Sequence, residues 1–535
     1  MEERNADEIF KEFREHSVAE FFKKNRQMLG YAGKVRSMTT IVHEYVTNAL
    51  DATEEGNILP EIDVNISQAA EDRYRIGVMD NGPGIPKHYI GKVLATVLAG
   101  TKFHRYLQQR GQQGIGGAGC TMFAQTTTGK PIFVKASTAP GKAYSCNLMI
   151  DTIHNKPVVS NLQDIAENFR GLFVEGEFAD IKYENSDHGV YEYIKRTALA
   201  NPHAQIRLTD PEGKEHVFMR AVNKVPERPK QAQPHPLGLS VNDLLEFAHA
   251  SPSTRISSFL VDTFERVTSN KVNELKTIAT GVDFAKTPKE LTWPEAEELI
   301  KAFKSVKWIA PDASNVKTIG KDQITLALKN VLNPEFMNVV ERRPSVFRGG
   351  VPFIVEAAVA FGGNAGRKTE EGYAGSILRF ANRVPLLFDS GVCAITVAAK
   401  DIDWKRYGID METQPVSIFV NISSVYIPYS GVGKEAISQE DAIIEEIKLA
   451  IMEAARGVQH YIHGKKLASS EEGKYKTVMR YAKQLSQDLS DITGKDMKTI
   501  ERHVNELVLK HYPRLKENDG AQKEEGTAAS EESES

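Results

Sequence analysis

A long amphipathic helix is predicted near the start of the chain, between Val35 and Ala52. Its apolar residues are spaced three and one apart, which places them on one helical face. The residues of that face are Met38, Ile41, Val42, Tyr45, Val46, Ala49 and Leu50. The other face carries Glu44, Thr47, Asn48 and Asp51. Glu44, Asn48 and Asp51 stand at i, i+4 and i+7 and project together, so this face is either solvated or combines a general base with a metal ligand.

A half-buried strand followed by a turn is predicted next, from Tyr74 to Pro86. The residues that alternate with less apolar ones are Tyr74, Ile76 and Val78, and this period of two is typical of a strand. Asp80 ends the strand, and Gly82 and Gly84 follow it. Asp-Asn-Gly on its own is a common turn. A buried carboxylate at this point could instead accept a hydrogen bond from an adenine amino group, with glycines that let the backbone approach the base.

A glycine-rich segment, GQQGIGGAG, runs from Gly111 to Gly119 and precedes an apolar helical stretch at Cys120–Ala124. Glycine-rich backbone at the start of a helix presents N–H groups to phosphates. No strand directly precedes the segment and no GxxxxGK[ST] is present, so it is neither a dinucleotide fingerprint nor a P-loop. Lys102, a short distance upstream, is either a surface residue or a further phosphate contact.

The rest of the chain alternates between polar linkers and patterned segments. The proline-rich stretch 225–236 predicts a linker, and residues 237–312 predict helices only. Two capping boxes support that prediction, formed by Ser240 with Asp243 and by Thr292 with Glu295. Three later segments, 351–363, 376–388 and 416–423, predict strands, and a helix is predicted over 441–461. This order suggests a second α/β or α+β domain.

Composition narrows the class of protein without naming a function. The 535 residues are too many for one core, and no apolar run approaches the roughly 20 residues that cross a bilayer. The N-terminal residues lack the core of a signal peptide, so a cytoplasmic location is expected. The net charge of −4 does not exclude a local basic groove for nucleic acid. Cys120, Cys146 and Cys393 form no CxxC pair, and buried reduced thiols are predicted.

The three motifs together resemble the N, G1 and G2 boxes of the GHKL ATPases, the superfamily of gyrase-type ATPases, MutL repair proteins, heat-shock chaperones of ninety kilodaltons and histidine kinases. ExxxNALDA, DNGPGIP and GQQGIG follow one another at intervals of about 30 residues. The resemblance implies ATP and Mg²⁺ as cofactors. It makes Glu44 the activator of the attacking water, Asn48 the magnesium ligand and Asp80 the adenine acceptor. Thr101, Lys102 and the segment from Gly111 to Ala118 would cover the phosphates as a lid.

A lysine between the predicted strands and the last long helix indicates which GHKL proteins this chain resembles. Ser430–Ile437 has the sequence SGVGKEAI, which is either a surface turn or a loop that reaches a neighbouring site. In gyrase-like and MutL-like proteins a transducer domain sends one lysine to the γ-phosphate, and Lys434 matches it. The residues implied as catalytic are Glu44 and Lys434. Those implied as nucleotide-binding are Asn48, Asp51, Asp80, Gly82, Gly84, Thr101, Lys102, Gly111, Gln112, Gln113, Gly114, Ile115, Gly116, Gly117, Ala118 and Lys434.

The predicted helical region 237–312, inserted between the two mixed regions, resembles the B subunits of type IIB DNA topoisomerases. Short sequence motifs such as RRPSVFRGGVPFIVEAAVAFGG resemble the same family, and the resemblance covers about residues 15–470. The implied fold class is α+β and multidomain. Residues 1–228 would form a GHKL (Bergerat) ATPase α/β sandwich with an N-terminal extension, 229–312 a helix-two-turn-helix domain, and 313–470 the transducer α/β domain. Residues 471–515 would be helices that dock the A subunit, and 516–535 a disordered acidic tail.

The resemblance implies an ATP-hydrolysing subunit of a type II DNA topoisomerase. ATP would dimerise the B subunits into a clamp, which passes one duplex through a double-strand break made by the A subunit, in an A2B2 heterotetramer that acts on double-stranded DNA and not at a membrane. No tyrosine stands in a nucleophile's context, and Asp401-Ile402-Asp403 is a weak metal motif, so cleavage is assigned to the A subunit. A MutL-type mismatch-repair ATPase and a GHKL chaperone remain the alternatives.

DNA-contacting residues are harder to predict. Trp404-Lys405-Arg406-Tyr407 joins cations to aromatics and could touch a phosphate backbone. An aromatic pair packed at a domain edge with solvated cations explains the same pattern. Lys195-Arg196 and Arg342-Arg343 are weaker candidates.

Overall fold

The computed structural model describes residues 17–98, 106–111, 114–370, 372–431 and 433–511. Thr101, Lys102, Gln112 and Gln113 and the predicted tail 516–535 lie outside the described residues. The chain divides into two compact units, one formed by residues 1–404 and 410–455, the other by residues 405–409 and 456–535. No helix in the described ranges has the length and apolar character needed to cross a membrane.

An eight-stranded sheet, ordered β5-β4-β3-β6-β2-β1-β7-β8, organises the first part of the chain. Its strands are β1 (Glu61–Ala70), β2 (Arg73–Asp80), β3 (Ile132–Ser137), β4 (Ala143–Asp151), β5 (Lys156–Ile165), β6 (Gly171–Ala179), β7 (Gln205–Thr209) and β8 (Glu215–Phe218). Strands β1 and β7 pair in parallel, and the other neighbours pair antiparallel. The predicted strand with Asp80 at its end is β2, and that prediction is confirmed.

Helices pack on this sheet to make an α/β sandwich. They are α1 (Val18–Lys24), α2 (Lys34–Glu55), α3 (Ile90–Leu94), α4 (Gly116–Thr128) and α5 (Val190–Ala200). The predicted amphipathic helix is α2, and its seven predicted apolar residues are all buried in one core with the strands. The helix after the glycine-rich segment begins at Gly116 rather than Cys120. The glycines therefore form its first turn, where missing side chains leave the N–H groups accessible.

The predicted helical region is confirmed. It contains α6 (Val241–Ala250), α7 (Ile256–Thr263), α8 (Ser269–Ile278) and α9 (Trp293–Ser305) around a separate apolar core. Both predicted capping boxes form, with Ser240 and Thr292 as the N-caps of α6 and α9. The proline-rich stretch before it contains neither helix nor strand over residues 219–235.

A six-stranded mixed sheet follows, ordered β10-β11-β16-β14-β15 with β9 also paired to β11. Its elements and their neighbours are α10 (Lys321–Leu332), β9 (Phe336–Glu341), β10 (Ser345–Phe347), β11 (Val351–Phe361), β12 (Arg367–Thr369), β13 (Gly372–Ala374), β14 (Ser376–Ala381), β15 (Val384–Pro385), α11 (Ala394–Lys400) and β16 (Val416–Ser424). The predicted strands β11 and β16 are confirmed. They pair antiparallel and are buried along nearly their whole lengths, which explains why neither alternates.

The prediction of a single strand over 376–388 is wrong. The segment is a hairpin, because Asn382 (φ 48°) and Arg383 (φ 68°) both adopt left-handed backbone and reverse the chain between β14 and β15. Two successive residues with positive φ make the type of tight turn that connects twisted antiparallel strands.

Two helices end the described chain, α12 (Asp441–Thr493) and α13 (Met497–His511). Helix α12 continues without a break through residue 470, so the predicted domain boundary there is not marked by a change of secondary structure. Within the second compact unit, Gln459 Nε2 donates a hydrogen bond of 2.9 Å to the Arg406 carbonyl oxygen.

Candidate nucleotide site

A cavity of about 810 Å³ opens between α2, the turn after β2, the first turn of α4 and the loop that carries Lys434. This volume is in the range of small-molecule sites. The predicted site residues that line it are Glu44, Asn48, Asp51, Asp80, Gly84, Gly111, Gly114, Ile115, Gly116, Gly117 and Lys434. Gly82 and Ala118 do not line it, since Gly82 serves Asp80 through its backbone and Ala118 is buried in the core.

The wall formed by α2 places Glu44 beside the N-terminus of α4. The Glu44 carboxylate lies so close to Gly116 that a Cβ at this position would displace it. Asn48 lies one turn further along α2, is exposed to the cavity, and faces Gly117, whose Cβ would lie 3.9 Å from Asn48 Nδ2. A carboxylate and an amide therefore lie next to backbone N–H groups that have no partner within the helix.

Asp80 lines the cavity and is buried. Its Oδ1 accepts hydrogen bonds from the backbone N–H groups of Gly82 at 2.8 Å and Leu172 at 3.2 Å. Burial raises the pKa of this carboxyl to about 6, although both hydrogen bonds oppose the rise. Gly84, at φ 70°, is pressed so closely to the Ser137 carbonyl that a Cβ would overlap it, which fixes the turn after Asp80.

Arg110, which the sequence analysis did not select, anchors the start of the glycine-rich segment to α2. Its Nη1 lies 3.0 Å from Asp51 Oδ1 and 3.0 Å from Glu54 Oε2. Its Nη2 lies 2.6 Å from Glu54 Oε1 and 2.6 Å from Asn201 Oδ1. Burial opposes ionisation of Glu54, but Arg110 and then His203 outweigh it and hold the pKa of Glu54 well below its usual range. Asp51 thus lines the cavity while its carboxylate is paired with Arg110.

Lys434 lies in a tight loop that is closed by a β-bridge between Tyr429 and Ile437. Inside the loop, Ser430 N donates to the Ala436 carbonyl at 2.9 Å and Lys434 N donates to the Gly431 carbonyl at 3.2 Å. The backbone of Lys434 has φ 53°, a left-handed conformation that costs a non-glycine residue roughly 1–2 kcal/mol. Backbone strain of this kind concentrates at functional sites.

Glu44 and Lys434 also act on the same half-buried histidine, His43. Burial lowers the pKa of His43, Glu44 opposes that shift, and Lys434 reinforces it. The charges of the predicted base and of the predicted sensor therefore both affect His43, which lines the cavity.

Each of the two weaker DNA candidates has an arginine that is engaged within the chain. Arg196 Nε lies 2.7 Å from Glu192 Oε1, and Arg342 binds both Glu446 at 2.7 Å and Glu453 at 2.8 Å. In the remaining candidate segment, Lys405 and Arg406 are exposed and Tyr407 is buried.

Two further sequence expectations concern reactive or metal-binding groups. Asp401 forms an ion pair with Lys448. The three cysteines are free and buried, as predicted.

Comparison with known proteins covers nearly the whole chain. A family model described as "Topoisomerase VI B subunit, transducer" matches residues 311–474, and one described as "Histidine kinase-, DNA gyrase B-, and HSP90-like ATPase" matches residues 33–151. The B subunit of type 2 DNA topoisomerase 6 from Methanothermobacter thermautotrophicus is 44% identical over 483 residues, which cover 89% of this chain and 92% of that protein. The protein of the same name from Pyrococcus horikoshii is 41% identical over 550 residues, covering 94% of this chain and 96% of that one.

Solved structures are matched more distantly. The ATPase region of Saccharomyces cerevisiae topoisomerase II shares 13% identity at a TM-score of 0.40, over 85% of this chain and 99% of that one. The assignment of a family therefore rests on the sequence relatives.

Proposed function

This chain belongs to the family of topoisomerase VI B subunits, the ATP-binding subunits of a type II DNA topoisomerase, and we propose that ATP closes two copies of it into a clamp on DNA. The mismatch-repair and chaperone alternatives are not favoured, because the relatives are named as topoisomerase subunits and match this chain over 92% and 96% of their lengths. The observation that carries the proposed mechanism is the shared cavity, which is lined by Glu44 and Asn48 from one helix and by Lys434 from the loop before α12.

The adenine and phosphate ends of the nucleotide are assigned from the chemistry of the walls. Asp80 accepts a hydrogen bond from the adenine amino group, and the backbone N–H groups of Gly82 and Leu172 hold its carboxylate in place. The first turn of α4 directs its free N–H groups at the phosphates, and the helix dipole favours their negative charge. Glycines at Gly114, Gly116 and Gly117 keep that approach clear.

Glu44 acts as the general base for hydrolysis. Its carboxylate lies against the first turn of α4, so a water between it and the terminal phosphate is positioned for in-line attack. A positioned base contributes typically 10²–10⁴-fold to a rate. Glu44 takes the proton of that water, and the fixed N–H groups stabilise the charge that develops on the phosphate.

The side chain of Asn48 is suited to bind Mg²⁺. Its amide oxygen is a hard donor on the cavity wall one turn from Glu44, and Mg²⁺ in nucleotide sites takes few protein ligands beside phosphates and water. The bound ion would neutralise phosphate charge. Asn48 would hold it from the cavity wall formed by α2.

Lys434 senses the terminal phosphate. A lysine binds phosphate as a point charge, so Lys434, which lines the cavity, forms an ion pair with the terminal phosphate when a triphosphate is bound. Because the loop connects β16 of the second sheet to α12, the nucleotide state is transmitted to that sheet and to α12. Closure of two copies then traps one duplex.

The partners are inferred from the relatives, which are named as B subunits of a type 2 DNA topoisomerase. The chain works in a topoisomerase VI complex on DNA, and we infer that a separate A subunit cuts the duplex in an A2B2 heterotetramer in the cytoplasm. The end of α12 and α13 are the proposed dock for the A subunit. Four large apolar side chains there are strongly exposed, Tyr481, Leu485, Ile492 and Leu507, and such surfaces mark protein interfaces.

The test is nucleotide binding and hydrolysis on the full chain, followed by decatenation with a purified A subunit. Glu44→Ala is expected to bind ATP as the wild type does while hydrolysis falls at least about 100-fold. Asn48→Ala is expected to lose the magnesium dependence of binding. Equal hydrolysis by wild type and Glu44→Ala would remove Glu44 from the mechanism.

A further inference from the structure

Arg36 joins the nucleotide helix to two distant segments of the chain. It lies in the first turn of α2 and forms an ion pair with Glu435. Its guanidinium also lies 3.5 Å from Asp389 Oδ2 and 4.7 Å from the centre of the Phe388 ring. The side chains of Arg36 and Glu435 are only 25% and 11% exposed. Partial burial and stacking on an aromatic ring distinguish this contact from a solvated surface pair, which contributes little.

The position of Glu435 connects this contact to Lys434. Glu435 directly follows Lys434, within the loop closed by the Tyr429–Ile437 bridge. Lys434 holds a strained left-handed backbone, and such a conformation persists only where its surroundings over-determine it. The backbone hydrogen bonds inside the loop close it on itself, whereas the Arg36–Glu435 pair fixes it to α2. The same helix carries Glu44 and Asn48 on later turns.

We propose that Arg36 is a positioning residue, which holds the Lys434 loop on α2 through Glu435 and so keeps Lys434 in the cavity that Glu44 also lines. Phe388 and Asp389 bring the segment after β15 to the same guanidinium, which makes Arg36 a junction between the nucleotide helix and the second sheet. This inference rests on the proposed role of Lys434 in ATP hydrolysis.

The test compares ATP turnover by the full-length chain in matched variants. Glu435→Gln removes one charge from the lysine loop and keeps the side-chain size. Asp389→Asn is the matched control, because it removes the other acidic partner of Arg36 from a segment that does not carry the lysine. Glu435→Gln and Arg36→Gln are each expected to lower kcat about tenfold with KM changed less than about twofold, as for an interaction realised in the transition state. Asp389→Asn is expected to stay within about twofold of wild type.

Reversal of the pair separates positioning from a general loss of structure. In the Asp389→Asn background, Arg36→Glu combined with Glu435→Arg is expected to restore kcat to within about threefold of that background. Trypsin provides a readout independent of turnover, since cleavage after Lys434 is expected to be faster in Arg36→Gln than in wild type.

The outcomes that overturn the inference differ from those that overturn the proposed function. If Lys434→Ala loses turnover while Glu435→Gln and Arg36→Gln match wild type, the role of Lys434 stands and the positioning role of Arg36 is wrong. If the reversed pair has a kcat no higher than that of the single variants, the positioning role of Arg36 is also wrong. If Lys434→Ala itself turns over ATP at the wild-type rate, the proposed role of Lys434 fails, and the inference fails with it.

Discussion

Replacement of Arg110 by methionine is expected to destabilise the fold severely and in a pH-dependent way. The side chain of Arg110 is 6% exposed, and its partners Asp51 and Glu54 are 10% and 19% exposed. Removal of one partner from a buried ion pair costs about 3–5 kcal/mol, because it leaves uncompensated buried charge. Methionine keeps most of the apolar volume, so little of the loss would come from a cavity.

The pH dependence follows from Glu54. In the wild type its pKa is lowered, so the stabilisation from its ionised form is present above the usual glutamate range and is lost as pH falls toward the lowered pKa. Without Arg110, burial dominates and protonation of Glu54 relieves the unpaired charge. The stability difference between wild type and Arg110→Met is therefore expected to be largest near pH 7 and to shrink toward pH 4.

Urea unfolding followed by circular dichroism at pH 7 and at pH 4.5 measures this difference. Arg342→Met is the matched control, because Arg342 also binds two glutamates but its side chain is 29% exposed, and a loss of about 1 kcal/mol or less is expected for it. A loss for Arg110→Met that is no larger than that of Arg342→Met, or that is the same at both pH values, would refute the reasoning.

Three further results are expected. Because the pKa of Asp80 is raised to about 6, the affinity for ATP measured by calorimetry should fall as pH drops from 7.5 to 5.5, whereas Asp80→Asn should bind weakly with no such slope; an equal slope in both would exclude Asp80. Gly116→Ala should lower ATP turnover at least about 100-fold, since the added Cβ displaces the Glu44 carboxylate, and near-normal turnover would contradict the geometry of that wall. A chain truncated after Ala468 should no longer co-purify with the A subunit, and retained binding would remove the last helices as the dock.

The elements that the sequence predicted well are those whose cause is local. Helix α2 was predictable because seven apolar residues on one face are enough to define a buried stripe. The N-caps of α6 and α9 were predictable because Ser240 and Thr292 meet an acidic residue three positions later. Strands β11 and β16 were predictable from segments rich in apolar and β-branched residues, which suit strands buried on both faces.

The features that the sequence did not predict depend on conformation or on distant partners. The hairpin in 376–388 was missed because Asn382-Arg383 is not one of the dipeptides that mark a left-handed turn. The Arg110 cluster was missed because its partners lie 56, 59 and 91 residues away along the chain. The only local sign was an arginine immediately before the glycine-rich segment. Arg36 and Glu435 lie still farther apart along the chain, and no periodic pattern in the sequence predicts their contact.

Light scattering of the purified chain, with and without Mg²⁺ and a non-hydrolysable ATP analogue, tests the proposed clamp most directly. The account predicts a monomer that dimerises when the analogue is added, both in wild type and in Glu44→Ala, with hydrolysis lost only in the variant. A mass that does not change with nucleotide, whether monomer or dimer, would contradict the nucleotide-gated clamp.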